Sequence, residues 1–190
     1  ERETDRLSNL VQQLLLLAGL EAGRCPAEAL APVALQKLCA DIVEDADFEA
    51  GPANCRMAGI REEITLMAYP QLLRRAIDNV LRNAIRYAPR GSEIVLNARI
   101  DQERNVVIVE ILDSGPGVPK SMLSDIFRPF FRTSPGRESE TGGAGLGLAI
   151  AYEAVRMHAG SIVAHNRETG GLRVVIVMPW RAAVPEDELL

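Results

Sequence analysis

The stretch from Asp78 to Tyr87, DNVLRNAIRY, restricts the fold of this chain more than any other. Pro70 suits the first turn of a helix that runs into this stretch. Asn79, Asn83 and Tyr87 recur every four residues and therefore share one face of that helix. Two carboxamide oxygens on one face can hold Mg²⁺, and asparagine is a poor helix former. A solvated helix face is the competing interpretation. The predicted apolar stripe is Leu73, Ala76, Ile77, Val80, Leu81 and Ala84.

A second motif, DSGPG at 113–117, follows an apolar strand. Asp113 at the strand end can accept a hydrogen bond from a purine amino group. Gly115 and Gly117 allow the backbone to approach a base closely. Considered alone, the motif favours a simple turn, because Asp, Gly and Pro are turn residues.

A third motif, GAGLGL at 143–148, leads into a helix predicted for Leu146–Ala159. Glycine-rich backbone at a helix N-terminus presents N–H groups and the positive end of the helix dipole to phosphates. A flexible linker is the alternative. The polar loop before the motif rules out the dinucleotide-binding fingerprint, which needs a preceding strand.

A phenylalanine-rich segment, FRPFFR at 127–132, lies between the second and third motifs. We predict that it is a hydrophobic anchor. It would hold the root of a mobile segment, Thr133–Gly142, which closes over a nucleotide.

Composition excludes several classes of protein. The chain has 190 residues, 47% of them apolar and 25% charged, which is typical of a globular protein. A net charge of -5 argues against nonspecific nucleic-acid binding. No apolar run approaches 18 residues, so no transmembrane helix is predicted. The chain opens on a charged helical segment rather than Met, and we expect it to be part of a longer protein. Three cysteines without a CxxC pair indicate free thiols.

The first 22 residues predict a helix whose leucines, at positions 7, 10, 14 and 17, repeat at spacings of three and four. This seam is typical of a helical bundle or dimer, and a helix lying on its own domain is the alternative. A helix is expected from Val33 to Ala50. Strands are expected at 55–60, 64–68, 93–100, 106–112, 161–166 and 172–178. Hairpin strands with helices elsewhere predict an α+β two-layer sandwich.

The three motifs, in this order and spacing, resemble the N, G1 and G2 boxes of sensor histidine kinases. These kinases share a superfamily with type II topoisomerases, MutL proteins and ninety-kilodalton heat-shock chaperones. The stretches RNAIRYAP, IFRPFFRT and GLRVVIVMPW are most similar to Cpx-type envelope-stress kinases. The resemblance covers residues 33–180, the catalytic ATP-binding domain. It implies that residues 1–24 are the second helix of the dimerisation and phosphoacceptor domain, 25–32 a linker and 181–190 a tail.

The resemblance also implies roles for individual residues. Asn83 is the main Mg²⁺ ligand and Asn79 its neighbour, while Asp113 selects the adenine of ATP or ADP. The other nucleotide-binding residues that it implies are Arg86, Tyr87, Gly115, Gly117, Phe127, Phe130, Arg132, Gly143, Gly145, Leu146, Gly147 and Leu148.

The implied activity is that of a protein-histidine kinase that relays phosphate to an aspartate on a response regulator. The phosphoacceptor motif is absent, because neither His158 nor His165 has the Glu and Thr-Pro neighbours, and we expect no autophosphorylation by this chain alone. We expect His158 to pack or hydrogen-bond at a helix end and His165 to lie in a strand. The implied parent is a homodimer in the bacterial inner membrane, with this part soluble on the cytoplasmic side.

Three alternatives remain open at this point. The first is an ATP-driven conformational machine, which would carry a glutamate as general base where Asn79 stands. The second is an interaction module with a decayed nucleotide pocket. The third is a serine kinase of the anti-sigma type, which would not need the leading helix.

Overall fold

The computed structural model of the chain describes residues 2–24, 28–50, 54–57, 63–132 and 144–180. In this part of the chain the helices α1 to α4 are Arg2–Glu21, Leu35–Ala50, Pro70–Tyr87 and Gly147–Met157. The strands β1 to β7 are Ala31–Ala34, Asn54–Met57, Thr65–Ala68, Glu93–Asp101, Val106–Leu112, Ser161–Asn166 and Leu172–Pro179. Two 3-10 helices, Lys120–Met122 and Asp125–Phe127, lie between β5 and α4.

The main sheet has five strands in the order β2-β4-β5-β7-β6. Strands β4 and β5, and strands β6 and β7, pair antiparallel, in agreement with the sequence prediction of hairpins. Along β4, Ile94, Leu96 and Ala98 are buried, whereas Asn97 and Arg99 lie on the other face. Helices α3 and α4 pack together over the buried face. The expected α+β two-layer sandwich is therefore confirmed.

Helix α3 is the centre of the core. It begins at Pro70 and ends at Tyr87, as the sequence predicts. All six residues of the predicted apolar stripe are buried, and Leu72 is buried with them. A helix whose apolar face is buried along its whole length has a fixed orientation. The face beside this apolar stripe carries Asn79 and Asn83, which are half-buried.

The predicted start of α2 is wrong by two residues. Val33 and Ala34 belong to β1, which pairs antiparallel with β3 in a separate two-stranded sheet. Val33 lies opposite Leu66 in this ladder. Tertiary pairing thus overrides the helical period of the sequence. Strand β1 begins at Ala31, within the last two residues of the expected linker, 25–32.

The leucine seam of α1 is divided between two environments. Leu17 is buried in a small cluster on α4, and Leu10 packs at the edge of that cluster. Leu7 and Leu14 are exposed, with Leu7 at 60%. Helix α1 therefore lies partly on its own domain, and another of its faces presents apolar side chains to solvent. The residues that contact Leu17 in the cluster are Leu146, Ala149 and Ile150.

Cys39 is a free thiol buried inside α2. Burial raises its pKa to about 12. The thiol is therefore protonated at neutral pH and behaves as a small apolar side chain. Cys25 and the side chain of Cys55 lie outside the described part of the chain.

Candidate functional site

The polar face of α3 forms one wall of a cleft of about 200 Å³. Asn79, Asn83 and Tyr87 all line it, as their spacing predicts. Asn79 and Asn83 are half-buried, and Tyr87 is partly exposed at the end of the helix. Arg82 and Arg86, on the same helix, also line the cleft. Carboxamide oxygens and guanidinium groups thus line one space. The oxygens can bind a hard cation, and the guanidinium groups can bind an anion.

The opposite wall is formed by the start of α4 and by the chain just before it. Helix α4 begins at Gly147, directly after Leu146, close to the predicted start. A Cβ atom on Gly147 would lie 3.0 Å from Oδ1 of Asn79, so glycine allows the two walls to touch. The lining residues on this side are Arg132, Ala144, Gly145, Leu146, Gly147 and Leu148. Gly143 and the predicted mobile segment Thr133–Gly142 lie outside the described residues.

Gly145 has a φ of 74°, a backbone conformation that favours glycine. Its carbonyl accepts a hydrogen bond from the backbone N–H of Phe130 at 2.9 Å. A Cβ atom at Gly145 would lie 3.1 Å from the backbone of Phe130 and from the carbonyl oxygen of Phe131. The glycine motif is therefore tied to the phenylalanine-rich segment, and the two segments form one rim of the cleft.

The three phenylalanines of that segment have different environments. Phe127 is buried against the core, and its ring centroid lies 6.1 Å from that of Tyr152. Phe131 is half-buried and lines the cleft. Phe130 is 59% exposed, has a φ of 62° and does not line the cleft. The prediction of an apolar anchor is therefore correct for Phe127 and wrong for Phe130, because the turn toward Gly145 directs the Phe130 side chain outward.

Asp113 is buried at the end of β5, with 5% of its surface exposed. Its Oδ1 atom accepts hydrogen bonds from the backbone N–H groups of Gly115 at 2.7 Å and Leu172 at 3.1 Å. Among the described residues no hydrogen bond is donated to Oδ2. Burial raises the pKa of the Asp113 carboxyl, while these hydrogen bonds and the charge of Arg167 oppose the rise.

Asp113 does not line the cleft but lies behind the end of α3. A Cβ atom at Gly115 would lie 2.8 Å from the backbone oxygen of Tyr87 and 3.0 Å from Oδ1 of Asp113. Glycine at this position therefore brings the Asp113 loop into contact with the last turn of α3. The Asp113 loop thus lies against the end of α3, the helix whose polar face lines the cleft.

Two residues that fix the Asp113 loop were not predicted from the sequence. Nδ2 of Asn166 donates to the carbonyl of Val118 at 2.6 Å, and its Oδ1 accepts from the Val118 N–H at 2.9 Å. Arg167 donates to the backbone oxygen of Asp113. Gly117, with a φ of 71°, lies against Asn166 in a position where a side chain would clash. These contacts join the ends of β5 and β6, which no local sequence pattern could indicate.

Neither histidine lines the cleft. His158 ends α4, as expected: its Nδ1 donates to the carbonyl of Ala154 at 2.7 Å, and its Nε2 accepts the backbone N–H of Tyr69 at 3.0 Å. The Tyr69 contact fixes this tautomer of the neutral ring. Burial lowers the pKa of His158. His165 lies in β6, also as expected.

Helix α1 also contributes to the cleft. Gln13, one turn before Leu17, lines it together with Asn83 and Arg86. The sequence does not indicate Gln13, because the leucine period of α1 does not reveal which face meets α4.

Among the described residues, no helix is long and apolar enough to cross a membrane.

Comparison with known proteins identifies the family of this chain. Residues 68–182 match the family model described as histidine kinase-, DNA gyrase B- and HSP90-like ATPase. The sensor histidine kinase CpxA of Escherichia coli is 32% identical over 181 residues, which cover 94% of this chain and 38% of CpxA. The probable sensor histidine kinase TcrY of Mycobacterium tuberculosis is 34% identical over 161 residues, 84% of this chain and 33% of TcrY. The chain therefore spans 38% of CpxA and 33% of TcrY, about a third of each relative.

A solved structure agrees with these sequence matches. Full-length ShkA, crystallised in complex with AMPPNP, superposes with a TM-score of 0.80 at 26% identity. The superposition covers 97% of this chain and 38% of ShkA. It includes the region of α1 as well as the α/β sandwich.

Proposed function

The chain belongs to the histidine kinase-, DNA gyrase B- and HSP90-like ATPase family, and from this premise we propose that it is the ATP-binding portion of a sensor histidine kinase. In this proposal it binds Mg-ATP and supplies the γ-phosphoryl group to a histidine carried by another segment of the protein. The phosphate then passes to an aspartate of a response regulator. The relatives CpxA and TcrY, both named as sensor histidine kinases, support this choice within the family.

The observation that carries the proposal is the convergence of two asparagines on α3, three arginines and a glycine-rich helix start on one cleft. Asn83, with Asn79 beside it, would hold Mg²⁺, whose preferred ligands are hard oxygen atoms. The backbone of Gly145 and Gly147 at the α4 N-terminus would hold the phosphates. When bound, Mg²⁺ neutralises the negative charge that develops on the transferred phosphoryl group.

The opposite end of the site would recognise the base. The free Oδ2 of Asp113 can accept a hydrogen bond from the adenine amino group. Oδ1 cannot turn away, because Gly115 and Leu172 hold it. Tyr87, at the end of α3, lines the cleft and lies beside Gly115 of the Asp113 loop, and it would contact the nucleoside. The buried carboxylate is thus oriented before the ligand arrives, which reduces the ordering cost of binding.

Asn79 favours phosphoryl transfer over hydrolysis. An ATPase of this family needs a general base at this position, and a neutral carboxamide cannot accept a proton. The described part of the chain also places no histidine in the cleft. The acceptor therefore has to come from elsewhere. The exposed apolar face of α1 fits this requirement, because it offers a surface for the first helix of a bundle and for a homodimer.

Calorimetry with Mg-ADP and Mg-ATP tests the proposal directly. Wild-type chain should bind both nucleotides, and Asn83→Ala should lower the affinity at least tenfold in the presence of Mg²⁺. Asn97→Ala is the matched control, because Asn97 lies in β4, outside the cleft. Absence of binding by the wild-type chain, or equal affinities for Asn83→Ala and Asn97→Ala, would exclude the proposed site.

A further inference from the structure

Helix α1 is held against the phosphate wall of the cleft. Leu17 is 4% exposed and packs on Leu146, Ala149 and Ile150 of α4. Leu146 is itself a lining residue and directly precedes Gly147, where α4 begins. The carbonyl of Leu20, later in α1, accepts from Arg156 near the end of α4, so a residue one turn before Leu17 on the same side lies toward the glycine-rich segment.

Gln13 occupies that position. It is half-buried and lines the cleft, whereas its neighbours Gln12 and Leu14 are exposed. Its carboxamide makes no hydrogen bond with the described residues. Its amide nitrogen can donate two hydrogen bonds, and Arg82, Arg86 and the start of α4 line the same cleft.

We propose that Gln13 completes the nucleotide site from helix α1, by donating a hydrogen bond from its carboxamide to the polyphosphate of the bound nucleotide. This inference rests on the proposed function of the cleft. A carboxamide suits the position because it donates without adding negative charge near the phosphates. A carboxylate of similar length would instead repel them.

The contact would make nucleotide binding depend on the position of α1, a property that the α/β sandwich alone does not have. If Gln13 binds the phosphates only while α1 lies on α4, bound nucleotide stabilises that docked arrangement. Docking of α1 in turn raises nucleotide affinity by the same factor, because binding linkage is reciprocal. Helix α1 would thus report to the rest of the protein whether the cleft holds a polyphosphate.

The test compares Gln13→Met and Gln13→Glu with Gln12→Met and Gln12→Glu. Methionine keeps the length and packing of the side chain but cannot donate. We expect Gln13→Met to weaken Mg-ATP and Mg-ADP binding three- to tenfold, because a hydrogen bond to a charged group is lost. Gln13→Glu should weaken binding further. Both Gln12 variants should bind as the wild type does.

Adenosine, which lacks phosphates, separates a direct contact from a packing effect. Its affinity, measured by chemical-shift titration, should be the same for wild type and Gln13→Met. An equal loss of adenosine and Mg-ATP affinity would overturn the proposal, because Gln13 would then act only through packing. Unchanged Mg-ATP affinity in Gln13→Met would overturn it as well. A wild-type chain that binds no nucleotide would instead refute the proposed function of the cleft.

Hydrogen exchange provides a second measurement that does not depend on activity. Mg-ATP should slow exchange of the α1 amides from Leu10 to Leu17 in the wild-type chain and in Gln12→Met. Mg-ATP should slow exchange of these amides less in Gln13→Met, when each protein is saturated with nucleotide. Equal protection of α1 in all three proteins would show that docking is not linked to the phosphates, which contradicts the role given to Gln13.

Discussion

The backbone N–H of Tyr69 donates to Nε2 of His158 at 3.0 Å, which joins the start of α3 to the end of α4. The bond needs a neutral imidazole, because a protonated ring has no acceptor. Burial lowers the pKa of His158 below its ordinary value of 6.5, although the nearby carboxylate of Glu28 opposes the shift. The two helices that form the walls of the cleft are therefore connected through a group that titrates in the acidic range.

This relationship predicts a loss of stability in acid. Because the pKa of His158 is lower in the folded state, the unfolded state binds more protons below pH 6.5. The free energy of unfolding should therefore fall as the pH falls through this window. Urea unfolding between pH 7.5 and 5.5 measures the slope, and it should be smaller in His158→Gln. His165→Gln, at an exposed position in β6, should keep the wild-type slope. Identical slopes for wild type and His158→Gln would contradict the prediction.

A second prediction concerns the start of α3. Glu28 accepts hydrogen bonds from the N–H groups of Gln71 at 2.8 Å and Leu72 at 2.9 Å, and so caps the helix from outside. Tyr69, at the N-cap position, provides no side-chain cap. Glu28→Ala should lower the free energy of unfolding by about 0.5–2 kcal/mol, the usual cost of losing a helix cap. Denaturant unfolding measures the change. The exposed turn residue Glu103 offers the control, and equal effects of Glu28→Ala and Glu103→Ala would rule out the cap.

Nucleotide recognition by Asp113 gives the third prediction. Asparagine in its place keeps an acceptor for Gly115 and Leu172, but its amide nitrogen cannot accept a hydrogen bond from adenine. Asp113→Asn should therefore weaken Mg-ADP binding about tenfold to a hundredfold, because a hydrogen bond to a charged group is lost. Calorimetry of this variant and of Asp41→Asn, an exposed control on α2, measures the effect. Unchanged affinity in Asp113→Asn would refute the assignment of the adenine end.

The fourth prediction concerns the contact between Gly147 and Asn79. An added methyl group at Gly147 would lie 3.0 Å from Oδ1 of Asn79, and the flexible Asn79 side chain would have to move. Gly147→Ala should leave the thermal unfolding temperature almost unchanged and lower the affinity for Mg-ADP at least threefold. Gly19→Ala is the control, since nothing lies within 4 Å of a methyl group there. Equal Mg-ADP affinity in the two variants would show that the contact does not position Asn79.

The sequence predicts α3 and the two hairpins well because each depends on a local period. The apolar stripe from Leu73 to Ala84 is long enough to specify a helix and its buried face. The start of α2 is different, since Val33 fits a helical period but pairs with Leu66, more than thirty residues away. The parallel pairing of β2 with β4 is equally non-local, and no short motif indicates it.

The residues of the candidate site also fall into two groups, those that a local motif predicts and those that only tertiary packing brings there. Asn79, Asn83 and the residues Gly145 to Leu148 lie within continuous motifs, and the structure brings them into one cleft. Asn166 holds the loop after Asp113 only because strand pairing brings the end of β6 near that loop. Gln13 contributes only because α1 packs on α4. Such residues carry no local signal, and they are found only when the elements are assembled.

The last prediction concerns the source of the phosphoacceptor. Given Mg-ATP, the chain should not label itself, because phosphoryl transfer needs an acceptor in line with the bound phosphate and a positioned base. Both ring nitrogens of His158 are engaged by Ala154 and Tyr69, and His165 lies in β6, outside the cleft. A separate protein that carries the acceptor histidine on a bundle helix should become labelled, because α1 offers an exposed apolar face for docking.

Incubation with γ-labelled ATP, followed by mapping of acid-labile phosphate, tests this expectation. Transfer to the added helix should be lost in Asn83→Ala and retained in Asn97→Ala, which ties the label to the cleft. Substitution of the exposed seam residue Leu7 by Glu should reduce transfer without changing Mg-ATP affinity, because the residue lies outside the cleft. Stoichiometric phosphohistidine at His158 or His165 would instead place the acceptor inside this chain and overturn the argument that it comes from another segment.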